Sequence, residues 1–248
     1  MIKRILPLLL LSSTLTFGAA PQKQQLDTEA EGFKGRVKSV FVEQSALKPS
    51  SGKSGAARKP EKKLSFDSDG SLTEDVQYAP WGGPFDSRTY FFIDGQRVVK
   101  HNVLVKGVMT VRDPGAKPRP YDGRYDWKIM HKFDSAGRRS EVAWLYSDGS
   151  PYLRYVNTLH GNRKEQLVYS ESGSVSQKYR STLDNKGNEV EMASYRVNDD
   201  SVDYKWNYTY LEFDSQGNWI KRLDSFGNKD SNFKTKPMKI TYRTITYH

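Results

Sequence analysis

The stretch Phe213–Asn228, FDSQGNWIKRLDSFGN, sets an apolar residue, an Asp and a Gly in the same relation twice, ten residues apart. Asp-x-x-Gly is either a ligand loop or a device for turning a chain, and because the unit recurs the choice decides the fold. Phe66-Asp67-x-x-Gly70, Phe133-Asp134-x-x-Gly137, Leu183-Asp184-x-x-Gly187, Phe213-Asp214-x-x-Gly217 and Leu223-Asp224-x-x-Gly227 all carry it. Tyr169-Ser170-x-x-Gly173 keeps the spacing with Ser in place of Asp. The glycines at 137, 149, 161, 173 and 187 lie mostly twelve residues apart, the length of one strand plus one turn.

A turn explains these residues physically. In a hairpin loop built on a type I turn, an Asp carboxylate accepts from backbone amides two residues on, and Gly supplies the positive φ. Phe213 would then face Trp219 as a cross-strand pair, and Phe66 would face Leu72. Calcium is the rival, since FDSDGS at 66–71 superficially resembles an EF-hand loop. Such a loop needs oxygen ligands at about positions 1, 3 and 5, Gly at 6 and Glu at 12. With Gly70 in the Gly position the last place falls to Val76, so the bidentate ligand is missing. The Asp and Gly residues at 67/70, 134/137, 184/187, 214/217 and 224/227 are therefore read as structural turns.

The segments between the turns read as strands. In YKWNYTYLEF, Tyr204, Trp206, Tyr208 and Tyr210 share one face while Lys205, Asn207 and Thr209 share the other. GRVKSVFVEQ from Gly35 and the closing ITYRTITYH have the same character. With 15 Tyr, 11 Phe and 5 Trp against a hydrophobic fraction of 36%, the composition favours sheet. No convincing amphipathic helix follows residue 34; QQLDTEAEGF before it suits a helical turn or two.

The first twenty residues, MIKRILPLLLLSSTLTFGAA, place Lys3 and Arg4 before a short apolar run and small residues, as a secretory signal peptide does. Removing residues 1–20 lowers the formal charge from +10 to +8, because Lys3 and Arg4 are the only charges there. No later stretch reaches the ~18 apolar residues of a transmembrane helix. The chain has no Cys, which excludes both a disulfide framework and an N-terminal lipoprotein anchor. The expected organisation is a signal at 1–20, an N-terminal segment at 21–34 and one β domain at 35–248. Within that domain, residues 46–63, rich in Ser, Gly, Pro and Lys, form a basic loop.

The units FDSDGSLTE, FDSAGRRSE, LDNKGNEVE and FDSQGNWIKRLDSFGN resemble the YD repeats of the RHS family, and the whole is similar to small exported bacterial proteins with degenerate repeats of that kind. The resemblance implies an all-β antiparallel hairpin meander forming a long curved sheet.

Candidate chemistry is sparse. His101, His131, His160 and His248 form no His-x-His or His-x-x-x-His pair, and without Cys a structural zinc site is not expected. Neither a nucleophile elbow nor a phosphate loop occurs, so no catalytic residues, metal or cofactor are assigned. Trp206, Tyr208, Tyr210 and Trp219 form either the buried face of the sheet or a stacking platform. Trp81, in APWGGPF, sits in a Pro/Gly loop suited to exposure. Lys59, Lys62 and Lys63 of the basic loop could meet an anionic polymer; export argues against nucleic acid. The sequence reading is an exported, periplasmic or extracellular, non-enzymatic module that recognises an envelope polysaccharide or protein. An envelope-glycan hydrolase and a periplasmic carrier or chaperone cupping an apolar partner stand as alternatives.

Overall fold

A computed structural model of the chain describes residues 25–47, 57–80, 82–105, 108–111 and 126–248. Among these residues fifteen strands follow a single-turn helix, α1 (Asp27–Ala30): β1 (Val37–Ala46), β2 (Lys59–Phe66), β3 (Leu72–Tyr78), β4 (Pro84–Ile93), β5 (Gln96–Val105), β6 (Val108–Val111), β7 (Trp127–Phe133), β8 (Arg139–Tyr146), β9 (Pro151–His160), β10 (Arg163–Tyr169), β11 (Val175–Leu183), β12 (Glu189–Tyr195), β13 (Val202–Phe213), β14 (Trp219–Asn228) and β15 (Lys236–Tyr247). Each pairs antiparallel with its sequence neighbour, as alternating strand patterns joined by short turns require. The meander does not stay open. β1 pairs with β15 from Val37↔Tyr247 to Ala46↔Lys239, and β5 bridges to β7, so fourteen strands close into a barrel with β6 hanging beside β5. The expected curved sheet is thus corrected to a ring: pairing of the first and last strands satisfies both otherwise open edges.

The two faces of the wall differ. Inward lie Phe66, Arg97 and Arg243, which meet the N-terminal segment, Trp219 against Arg243, and Tyr155, Tyr179 and Tyr204. Outward, ion pairs recur along the strands: Lys63–Glu74 at 3.1 Å, Lys132–Glu141 at 3.0 Å, Arg154–Glu141 at 3.8 Å and Arg180–Glu165 at 3.0 Å. Among the described residues no helix is long and apolar enough to cross a membrane. A membrane barrel presents an apolar outer band, and charged rows are the opposite of one.

The four turns around Asp67, Asp134, Asp184 and Asp214 all fall at the same end of the barrel. In each, the Asp Oδ1 accepts two amides at 2.8–3.0 Å and the Gly amide donates to the Asp carbonyl. Gly70, Gly137, Gly187 and Gly217 have φ of +81°, +74°, +84° and +79°, the left-handed region that a side chain disfavours.

Leu223-Asp224-x-x-Gly227 is a correction. It makes no turn and runs inside β14. Asp224 is 1% exposed and faces the lumen, where it bonds Arg222 Nε at 2.6 Å and Thr241 Oγ1 at 2.6 Å. Gly227 is needed for a different reason, since a Cβ there would sit 2.9 Å from the Lys234 backbone. The basic loop is corrected as well: Lys59, Lys62 and Lys63 belong to β2, paired with β1 on one side and β3 on the other. Lys62 turns inward to Asp75 at 3.5 Å and Lys63 outward to Glu74, so the three form no single patch. Trp81, the signal at 1–20 and residues 48–56 of the expected basic loop lie outside the described residues.

Candidate functional site

The N-terminal segment closes part of the mouth where the Asp turns lie. Backbone bonds seat it on two of them, Thr28 N to Gly70 O at 3.1 Å and Gln25 N to Gly137 O at 2.9 Å. A third turn is held by Asn218, whose Oδ1 accepts from Lys34 N at 2.7 Å and whose Nδ2 donates to Lys34 O at 2.9 Å. At the centre Asp27, 6% exposed, accepts from Arg97 at 2.5 Å, from Arg139, and from the Leu72 amide at 2.7 Å. Burial works against this carboxylate, but Arg97, the Leu72 amide and Arg139 outweigh it and hold it below the usual carboxylate range. Phe33, 4% exposed, anchors the segment's end against Phe66, edge to face at 6.0 Å. Its burial contributes roughly 1.5–3 kcal/mol.

The barrel interior is filled on one side only. Tyr90, Val99, Trp127 and Ile129 form a core with Trp144 and Tyr152 packed against it. His101 lies at its edge, 1% exposed, 5.0 Å from the Trp127 ring and 2.9 Å from Asp86 Oδ2. That placement follows from the strand, since Val99, two residues before it, is buried on the same inward face.

Across the lumen, β8 to β15 leave open space. A cavity of about 730 Å³ extends from the segment to Gln166, Tyr210 and Trp219. A second of about 370 Å³ continues along Tyr155, Tyr179, Met192 and Tyr204, and the two share Lys164, Gln166 and Glu189 as lining. The aromatic row read from β13 turns inward, with Tyr204 and Tyr210 lining this space. Trp206 packs on Phe226 at 4.8 Å, Tyr208 lies under Arg222 at 4.1 Å, and Tyr210 meets Trp219 at 5.7 Å while donating to Glu189 O at 2.6 Å. Burial raises the phenols of Tyr208 and Tyr210, and pushes Tyr179 up to about 12. These hydroxyls are donors throughout the physiological range.

Among the described residues seven cationic side chains line the larger cavity against four acidic ones, but Arg138 is paired with Asp134 at 2.7 Å and Arg139 is spent on Asp27. Arg222 is neutralised by Asp224, which holds it raised although burial alone would lower it. Arg243 is not neutralised. Its guanidinium lies 3.4 Å from the Trp219 ring centre and 4.8 Å from that of Phe33, and its Nε is buried without a partner. Lys164 likewise forms no ion pair within the described residues. Among those residues no group of three or more His, Asp and Glu gathers as a metal site would need.

Sequence reasoning named the aromatic row but missed Arg222 and Arg243. The available signal was their alternation on β14 and β15 with the same inward positions.

No family model and no curated protein sequence matches the chain. Among solved structures it is similar to a porin-like protein from Bacteroides uniformis, at 10% identity and a TM-score of 0.49, over 86% of this chain and 99% of that one. It is also similar to a proposed outer membrane lipoprotein-sorting protein domain from Vibrio parahaemolyticus, at 8% identity and 0.37, over 88% of each chain. A LolA-superfamily protein from Nitrosomonas europaea shares 9% identity at 0.31, over 92% of this chain and 88% of that one. None of these likenesses carries an activity to this chain. The YD and RHS resemblance does not hold, because the sheet closes through β1 and β15 and no family model matches. A turn signature that any antiparallel meander can use had been read as a family mark.

Proposed function

We propose that the protein is an exported carrier that houses an amphiphilic small molecule in the unfilled half of its barrel. The observation that supports this reading is the run of two adjoining cavities, of about 730 and 370 Å³, walled by Tyr and Trp and partly closed by the N-terminal segment. Ligand sites are typically concavities of roughly 300–1,000 Å³ with aromatic walls and a few placed polar groups. The sequence left the aromatic row open between the buried face of the sheet and a stacking platform. With Trp206, Tyr208, Tyr210 and Trp219 turned inward, a carrier accounts for them better. The outer wall offers ion pairs instead.

The test is titration with N-phenyl-1-naphthylamine, a neutral apolar fluorophore. Saturable enhancement at one equivalent is expected, with loss of binding in Gln166→Trp, which fills the space that both cavities share. Non-saturable enhancement, or equal binding by Gln166→Trp with an unchanged melting curve, would refute the reading.

A further inference from the structure

We propose that Arg243 is the anchor for an anionic head group, a carboxylate or a phosphate, on the amphiphile whose apolar part lies along the Tyr210-to-Tyr204 wall. This rests on the carrier reading and adds a chemical class to it.

The geometry is that of a prepared but unfilled recognition point. An ionised group in a protein interior is costly unless paired and hydrogen-bonded. Arg243 is half-buried with its Nε fully covered, yet among the described residues it has neither a hydrogen bond nor an ion pair. Trp219 shields one face of the guanidinium and Phe33 lies near it, which leaves its N–H edges for a partner in the plane. Carboxylate and phosphate are the groups that match that fork with two parallel bonds. The carboxylates that reach Arg243 do so only at a distance. Asp224 is committed to Arg222 and Thr241, and Glu31 belongs to the segment over the mouth.

Arg222 strengthens the case. Its guanidinium lies 4.6 Å from the same Trp219 ring, so two cations flank one indole while Asp224 compensates only one. Burial, and then the charge of Arg222, push the Arg243 guanidinium down to about 9. An arriving anion reverses both penalties. Phe33 adds a further link, since it touches the anchor and ends the segment that covers the mouth.

The experiment compares decanoate, decyl phosphate, decanol and inorganic phosphate by calorimetric titration of the full chain, its R243Q and R243K variants included. Wild type should bind the two anionic amphiphiles at least ten-fold tighter than decanol, and inorganic phosphate far more weakly than decyl phosphate. R243Q should lose that preference, keep its decanol affinity and melt no lower than wild type, because it removes an uncompensated charge. R243K, which keeps charge without the fork, should retain only part of the preference and decides the matter if R243Q does not fold. Equal affinity for all three decyl compounds in wild type would overturn the Arg243 site and leave the carrier reading standing. Failure of every decyl compound to bind would overturn the carrier reading as well. Inorganic phosphate binding as tightly as decyl phosphate would overturn the amphiphile and leave a free-anion site.

Discussion

Replacing Asp27 by Asn keeps the shape of the side chain and removes its charge from a pocket built around it. Arg97 at 2.5 Å and Arg139 both spend their guanidinia on this carboxylate, and both are mostly covered, at 13% and 14% side-chain exposure. Arg97 retains a second bond, to Leu72 O at 2.9 Å, whereas Arg139 Nε is already without a partner. Breaking one member of a buried pair costs ~3–5 kcal/mol, because the partner charges stay behind unpaired. Since each ~1.4 kcal/mol is ten-fold in an equilibrium, the population with the segment lifted from the mouth should rise by at least about a hundred-fold. Hydrogen exchange at the Thr28, Phe33 and Lys34 amides reads this directly, as those amides bond Gly70 O, Thr28 O and Asn218 Oδ1. The same loosening should appear in wild type as pH falls through the depressed Asp27 value, because a lowered carboxylate stabilises the fold above its unfolded pKa and ceases to on protonation. Exchange at these amides unchanged within two-fold in D27N would refute the idea that Asp27 fastens the segment.

Gly70→Ala and Gly173→Ala should separate a seat from a mere turn: both have φ near +80°, but a Cβ at Gly70 meets Thr28 Oγ1 at 2.9 Å while that at Gly173 meets nothing. Urea melts should show Gly173→Ala losing about 1 kcal/mol and Gly70→Ala clearly more, with faster proteolysis of the segment. Asp224→Asn should lower stability by about 3–5 kcal/mol by stranding Arg222, against under about 1 kcal/mol for Asp184→Asn, where Asn can keep the turn; equal losses would contradict the reassignment of Asp224. Burial, then Arg139 and Arg97, push His131 down to about 4. The unfolded chain therefore takes this proton first, and stability should be level above pH ~6.5 and decline toward about 4 at no more than ~1.4 kcal/mol per unit. His131→Asn should flatten that slope in melts recorded across the range.

Turn chemistry and face alternation are local and legible in the sequence. The turns at Asp67, Asp134, Asp184 and Asp214 follow from hydrogen bonds within five residues, and the aromatic face of β13 from a period of two. Ring closure is different in kind: nothing in Val37–Ala46 or Lys236–Tyr247 alone distinguishes two free edges from a matched pair. Asp224 shows the limit of a motif, because Leu-Asp-x-x-Gly has the same letters in a turn and in a strand. There the deciding facts are Arg222 two residues away and the Lys234 backbone over Gly227. Lys59–Lys63 looked like loop because KPEKK has no apolar alternation, and pairing on both sides imposes the strand instead. Arg243 was legible as an inward position but not as an uncompensated one, because one Arg in a Thr- and Tyr-rich strand carries no sign of being without a counter-charge.

The pairing of Val37 with Tyr247 also sets an order of events while the chain is being made. β1 emerges with thirteen of the described strands between it and its partner, so VKSVFVEQ waits with one side unmatched until β15 has left the ribosome. Contacts between such distant segments form slowly. An apolar strand that waits so long is a template for its neighbours on other ribosomes, and an interrupted chain lacking β15 leaves both β1 and β14 in that condition. Quality control of this protein therefore turns on its last twelve-residue strand.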